Sequence, residues 1–141
     1  MLASSPPIEP CAPLAPTRGL VSGGVRTLLR LEGFAAFAAA FAFYEQAKFS
    51  WPAFALFFLA PDLAMLAYLA GPRAGAIAYN VAHTYALALA LTLVGFFVGL
   101  PAATAGGLIW IAHIGFARAL GYGLKYPTGF GDTHLGRIGR N

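Results

Sequence analysis

The sequence predicts an all-α integral membrane protein: a bundle of four transmembrane helices followed by a glycine-rich tail. Of its 141 residues, 59% are hydrophobic and only 10% are charged, and the mean hydropathy is +0.70. A soluble domain of this length could not bury so much apolar surface. Four apolar segments follow one another, separated by short turns, and such segments are typical of membrane-spanning helices. This composition excludes an ordinary soluble enzyme, a disordered chain and a disulfide-stabilised scaffold.

The first half of the chain is expected to contain a tail and two helices. Residues 1–27 form a proline-rich and basic tail. The first transmembrane helix is predicted over residues 28–47 and the second over residues 51–70. The second helix contains Pro61, which has no backbone N–H and crowds the preceding turn, so we expect a kink there.

The second half is expected to contain two further helices and the glycine-rich tail. The third helix is predicted over residues 75–100 as one continuous segment. It is longer than a bilayer requires, so it should tilt or end early. The fourth helix is predicted over residues 102–120. Residues 121–141 are too rich in glycine for a long helix.

The distribution of Lys and Arg predicts the orientation. With four spans, both termini and the middle turn lie on one side of the membrane, and eight of the nine basic residues fall on that side. Only Lys48 lies on the other side, so both termini are expected to be cytoplasmic. The net charge of +4 is not accompanied by a recognition helix or a stacking platform, so the expected partner is the lipid bilayer and not nucleic acid.

Three ionisable residues in different spans are expected at one depth. A rise of about 1.5 Å per residue places Asp62 and His83 about 13 Å, and His113 about 12 Å, from the cytoplasmic ends of their helices. A charge in the hydrocarbon costs about 2.5 kcal/mol or more, so such groups usually face the bundle interior and act together.

A carboxylate with two imidazoles suits a divalent metal ion such as zinc, manganese or iron. The same groups also suit metal-free acid–base chemistry, with Asp62 orienting a histidine. A purely structural role stays open for each residue. Asp62 would then cap the carbonyl freed at the kink, and His83 and His113 would join or pack helices.

Several polar residues surround this set as supporting candidates. On the third helix, Tyr79, Asn80 and Thr84 lie at helical spacing around His83 and form a polar stripe with it. Arg73, Lys125, Arg137 and Arg140 suit lipid phosphate groups, although they also serve as topology signals. Arg118, near the end of the fourth helix, is a further supporting candidate.

The tail offers a second pair of candidate catalytic residues, Asp132 and His134. If the tail folds back under the bundle, they would complete the site from its cytoplasmic side. Otherwise they belong to a solvated turn in which the aspartate bonds its own backbone.

The favoured function is a metal-dependent membrane hydrolase or another lipid-modifying enzyme acting on a lipid-like or apolar substrate. One alternative is a haem- or quinone-binding electron carrier that uses His83 and His113 as axial ligands. Another is a small transporter or an accessory subunit. Four helices enclose too small a pore, so a transporter would need a homodimer, with Glu32 or Asp62 as the coupling acid.

Two long strings carry a resemblance to a known family: PDLAMLAYLAGPRAGAIAYNVAHTY (61–85) and HIGFARALGYGLKYPTGFGDTHLGRIG (113–139). They resemble a bacterial membrane-protein family catalogued as domain of unknown function 4260. The resemblance extends over about residues 28–140 and implies a small four-helix protein of the bacterial inner membrane, without assigning an activity. It also implies an acidic residue before the arginine matched by Arg118, a position at which this chain has Ala117.

Overall fold

A computed structural model describes residues 21–138 of the chain. Most of this region is helical, with one short hairpin near its end. The elements are α1 (Gly23–Gln46), α2 (Trp51–Phe57), a 3-10 helix (Ala60–Ala70), α3 (Pro72–Ala82), α4 (Tyr85–Phe97), α5 (Pro101–Leu120), β1 (Asp132–Thr133) and β2 (Gly136–Arg137). Most of the tail predicted over residues 1–27 lies outside the described residues.

Four helical segments of the described region are long and apolar enough to cross a membrane. They are Gly23–Gln46, Trp51–Ala70, Pro72–Phe97 and Pro101–Leu120. The predicted fold class, an all-α protein with four transmembrane helices, is therefore confirmed. The chain is a multi-pass membrane protein by this criterion, and the four segments are called spans one to four below.

The fourth span, α5, lies at the centre of the bundle. It packs against α1 on one side and α4 on the other, and Ala112 and Ile114 at its middle are fully buried. A Cβ atom on Gly115 would lie 2.6 Å from the backbone nitrogen of Phe37 in α1. Helices in a membrane approach this closely where the residues at the contact are small.

The second span is interrupted beside Pro61, where the kink is predicted. The α2 helix ends at Phe57, and the chain resumes at Ala60 as a 3-10 helix of 11 residues. Proline lacks the N–H that would bond the carbonyl four residues earlier, so the regular α-helix cannot continue through it. The interruption places Asp62 in the first turn of the 3-10 helix.

The third span differs from the continuous helix predicted over residues 75–100. The chain leaves helical geometry at His83 and Thr84, so α3 ends at Ala82 and α4 begins at Tyr85. Two side chains of α5 bond the freed carbonyls. The indole nitrogen of Trp110 donates to the Ala82 oxygen at 2.6 Å, and Nη2 of Arg118 donates to the His83 oxygen at 3.3 Å.

The glycine-rich tail folds back against the helices as far as the structure describes it, which is to residue 138. Its strands β1 and β2 pair antiparallel, and Thr133 and Leu135 are fully buried. Asn80 of α3 holds the tail through two bonds to the backbone of Lys125: its Nδ2 donates to the carbonyl at 2.9 Å, and its Oδ1 accepts from the amide at 2.7 Å.

Candidate metal centre

Asp62, His83 and His113 meet inside the bundle, as their shared depth predicts. The two Nε2 atoms of the histidines are 3.1 Å apart. Oδ1 of Asp62 lies 3.4 Å from Nε2 of His83 and 3.5 Å from Nε2 of His113. Each residue therefore presents one possible metal-ligand atom to the same point.

Each of the three ligand atoms is brought there by a different local structure. Asp62 lies just after the Pro61 interruption, His83 lies at the interruption of the third span, and His113 lies within the continuous helix α5. The histidines are 2% and 3% exposed, whereas the Asp62 side chain is 33% exposed. The imidazoles thus form the floor of the site and the carboxylate its more open side.

Tyr79 orients the His83 ring. The Tyr79 carbonyl oxygen lies 3.0 Å from Nδ1 of His83. The phenol ring of Tyr79 stacks on the His83 imidazole with centroids 3.7 Å apart. A carbonyl only accepts, so Nδ1 carries the proton and Nε2 faces Asp62 and His113. Backbone support of this kind is common for histidines that bind metals.

The three inward-facing atoms, Nε2 of His83, Nε2 of His113 and Oδ1 of Asp62, form a triangle. With His83 protonated on Nδ1, the centre of this triangle lacks positive charge. When His83 carries its only ring proton on Nδ1, its Nε2 presents a lone pair to a carboxylate oxygen 3.4 Å away. One proton between the two Nε2 atoms satisfies the contact between His83 and His113, but it leaves the contact between His83 and Asp62 without a proton. A cation or an additional proton at the centre would satisfy all three inward-facing atoms.

A cavity of about 390 Å³ adjoins the cluster and is lined by Asp62 and His113. Most of its other lining residues are apolar. Leu59, Phe116 and Leu120 belong to this lining and are also exposed on the helix surface. The apolar lining of the cavity therefore includes side chains that are also exposed on the surface of the bundle.

The other residues predicted to support the site differ in whether they contact it. Asn80 holds the Lys125 backbone, and half-buried Thr84 follows His83 in the interruption. Arg118 contacts the His83 carbonyl and so supports the site through the backbone. Arg73 is exposed at the start of α3.

The structure does not bring Asp132 and His134 into the cluster. Oδ2 of Asp132 accepts from the Thr128 hydroxyl at 2.8 Å. His134 lies beside Arg118, whose Nη1 is 3.1 Å from its Nε2, and Nδ1 of His134 accepts from the Leu124 amide at 2.8 Å. Burial, and after it the Arg118 charge, lower the pKa of His134.

Lys125 is a residue of the site that sequence reasoning did not find. The sequence indicates a topology signal or a headgroup contact, but the residue is only 4% exposed and lines the same cavity as Asp62. Burial lowers the pKa of its ammonium group. Its location depends on the fold of the tail, for which the local sequence has no signal.

Ala117 also lines the cavity. At this position, where the resemblance implies an acidic side chain, the chain has a methyl group. The candidate ligand set of Asp62, His83 and His113 therefore does not include residue 117.

The chain belongs to the family described as "Domain of unknown function (DUF4260)", whose profile matches residues 26–138. The match includes all four spans except the first residues of α1, and it includes the cluster, the cavity and the hairpin. Comparison with curated proteins finds no match, and comparison with solved structures finds none either.

Proposed function

We propose that Asp62, His83 and His113 bind one divalent metal ion, and that the protein is a metal-dependent membrane enzyme acting on a lipid-like substrate. The observation that carries the proposal is the triangle of ligand atoms, whose edges are 3.1, 3.4 and 3.5 Å. Ligands about 2.0–2.1 Å from a tetrahedral zinc ion lie about 3.3–3.4 Å from one another. Three residues from three spans thus already have the spacing of one face of a metal site.

The ligand types favour zinc, manganese or iron. Two histidines and one carboxylate with further positions open are found in catalytic zinc sites and in non-haem iron sites. The cavity lined by Asp62 and His113 would give water or a substrate access to an ion held by these residues. A metal in such a site polarises a substrate oxygen or lowers the pKa of bound water to about 7.

The protein residues have separable roles in this proposal. His83 and His113 hold the ion from the buried side, and Tyr79 keeps His83 in the tautomer that binds. Asp62 contributes the negative charge at the side of the cavity, where its partly exposed carboxylate is placed to accept a proton. The apolar lining keeps bulk water away from the reacting bond, and hydrolysis of a lipid ester or phosphoester suits these roles.

A haem site fits the geometry less well. Axial histidines lie on opposite faces of the haem ring. The Nε2 atoms of His83 and His113 are 3.1 Å apart, which leaves no space for a macrocycle between them.

In the proposed location the protein lies in the bacterial inner membrane with both termini in the cytoplasm. The distribution of basic residues supports this orientation, because only Lys48 lies on the opposite side. The metal centre then lies in the inner half of the bilayer, within reach of lipids of the cytoplasmic leaflet.

Elemental analysis of the detergent-purified protein tests the metal centre. We expect about one zinc, manganese or iron ion per chain, and a loss of most of it in His113→Ala and Asp62→Asn. His134→Asn and Asp132→Asn are matched controls, because they change the same residue types outside the cluster, and they should keep the metal. Equal metal content in all four variants, or no metal after dialysis against these ions, would contradict the proposal. The second result would favour metal-free acid–base chemistry.

A further inference from the structure

Lys125 is a buried cation. No carboxylate of the described residues lies within 4.0 Å of its Nζ. Within the part of the chain that the structure describes, Nζ donates one hydrogen bond, to the Phe130 carbonyl at 3.0 Å. It also lies 3.4 Å from the centroid of the Phe130 ring and 4.7 Å from that of Tyr79. An ammonium group has three donors, so its contacts to oxygen are incomplete.

Such an arrangement is costly unless a further group completes it. Moving an ammonium group out of water is unfavourable without a paired charge and hydrogen bonds. The aromatic faces offset part of this cost. Asp62 is the carboxylate that shares the cavity with Lys125, but its Oδ1 is directed at the two histidines.

The cavity beside Lys125 combines polar and apolar lining residues. Asp62, His113 and Lys125 are polar. Phe58, Met65 and Phe116 belong to the apolar lining, and Phe116 is also exposed on the surface of the bundle. This combination matches a molecule with one charged end and one hydrocarbon chain.

We propose that the cavity binds an anionic amphiphile, with a carboxylate or phosphate oxygen paired to Nζ of Lys125 and the acyl chain along the apolar lining. This inference rests on the proposed function, because it identifies the class of substrate brought to Asp62, His83 and His113. A volume of about 390 Å³ is at the lower end of the range for ligand cavities. It therefore suits one headgroup and the first part of one chain, with the remainder of the chain in the bilayer.

Displacement of a fluorescent fatty acid, cis-parinaric acid, from the purified protein tests this binding. The competitors are oleate, oleoyl lysophosphatidic acid and oleyl alcohol, which share a chain and differ in the headgroup. We expect at least one anionic competitor to displace the probe at a concentration about tenfold lower than oleyl alcohol does, because it adds a charge-assisted bond. A stronger effect of oleate identifies a carboxylate ligand, and a stronger effect of the phosphate compound identifies a headgroup phosphate.

Variants of the two lysines of the chain assign the effect to Lys125. Lys125→Gln should abolish the advantage of the anionic competitors, and Lys125→Arg should retain it. Lys48→Gln is the matched control, because Lys48 is exposed and pairs with Glu45 at 2.7 Å. If Lys125→Gln does not fold, the comparison of headgroups on the wild-type protein and on Lys125→Arg still shows whether an anionic headgroup is preferred over the alcohol. Equal displacement by oleate, the phosphate compound and oleyl alcohol would overturn the inference.

A chelator separates this inference from the proposed metal centre, because an anionic headgroup could also bind a metal directly. The displacement is repeated after chelation, with the metal content measured in the same samples. An advantage that persists in metal-free protein and depends on Lys125 supports the inference, even where the metal centre itself fails its test. An advantage that disappears with the metal would overturn the Lys125 site while supporting the metal centre.

Discussion

At the scale of single residues, the interruption of the third span depends on two side chains of α5. Trp110 and Arg118 bond the carbonyls of Ala82 and His83. A broken helix within a bilayer is stable only where its free backbone groups find partners inside the protein. The orientation of His83 toward the candidate metal centre therefore depends on residues that are not themselves ligands.

Replacing Trp110 by phenylalanine should destabilise the protein measurably. The change removes the 2.6 Å bond to the Ala82 carbonyl, and a carbonyl left unpaired in an apolar environment costs about 1–3 kcal/mol. Thermal unfolding in detergent measures the effect as a lower Tm. Trp51→Phe is the control, because Trp51 bonds Glu45 at an exposed position. Equal melting temperatures for the two variants would show that the Trp110 bond does not support the interruption.

At the scale of helices and strands, the two interrupted spans differ in how far the sequence predicts them. The interruption beside Pro61 is local chemistry and is expected from the sequence. The interruption at His83 and Thr84 has no proline or glycine to indicate it, and it depends on contacts to residues 28 and 35 positions away. The meeting of Asp62, His83 and His113 was nevertheless predictable, because a regular rise per residue places them at one depth. The burial of Lys125 was not, because it requires the tail to fold back.

The hairpin should loosen in mild acid through His134. Because burial and the Arg118 charge lower its pKa in the folded protein, the unfolded chain binds more protons than the folded one below its ordinary pKa of about 6.5. The free energy of unfolding therefore falls as the pH decreases through this value. The Tm should drop more between pH 7.5 and pH 5.5 for the wild type than for His134→Asn. An equal drop in both proteins would contradict this role of His134.

At the scale of the whole molecule, the distribution of basic residues supports the proposed orientation. In a four-span topology, eight of nine Lys and Arg residues fall on the side of the termini. In this orientation the hairpin and Lys125 would lie at the cytoplasmic headgroups, and the cavity would extend from there into the inner leaflet. An anionic amphiphile of that leaflet would then reach the site without crossing the membrane.

Labelling of Cys11 by a membrane-impermeant maleimide tests this orientation. Cys11 is the one cysteine of the chain and lies before the first described residue. It should react in inverted membrane vesicles and not in intact spheroplasts. Cys11→Ser combined with Lys48→Cys should give the opposite pattern, because Lys48 follows the first span. Labelling of Cys11 from outside the spheroplast would reverse the proposed topology.

X-ray absorption at the edge of the co-purified metal determines the ligands in one measurement. We predict two imidazole nitrogens at about 2.0–2.1 Å and one carboxylate oxygen at about 2.0–2.2 Å, with the remaining ligands being light atoms from water or substrate. Loss of one imidazole contribution in metal-reconstituted His113→Ala would assign the ligand. A spectrum without imidazole, or with a sulfur ligand at about 2.3 Å, would contradict a metal centre formed by Asp62, His83 and His113.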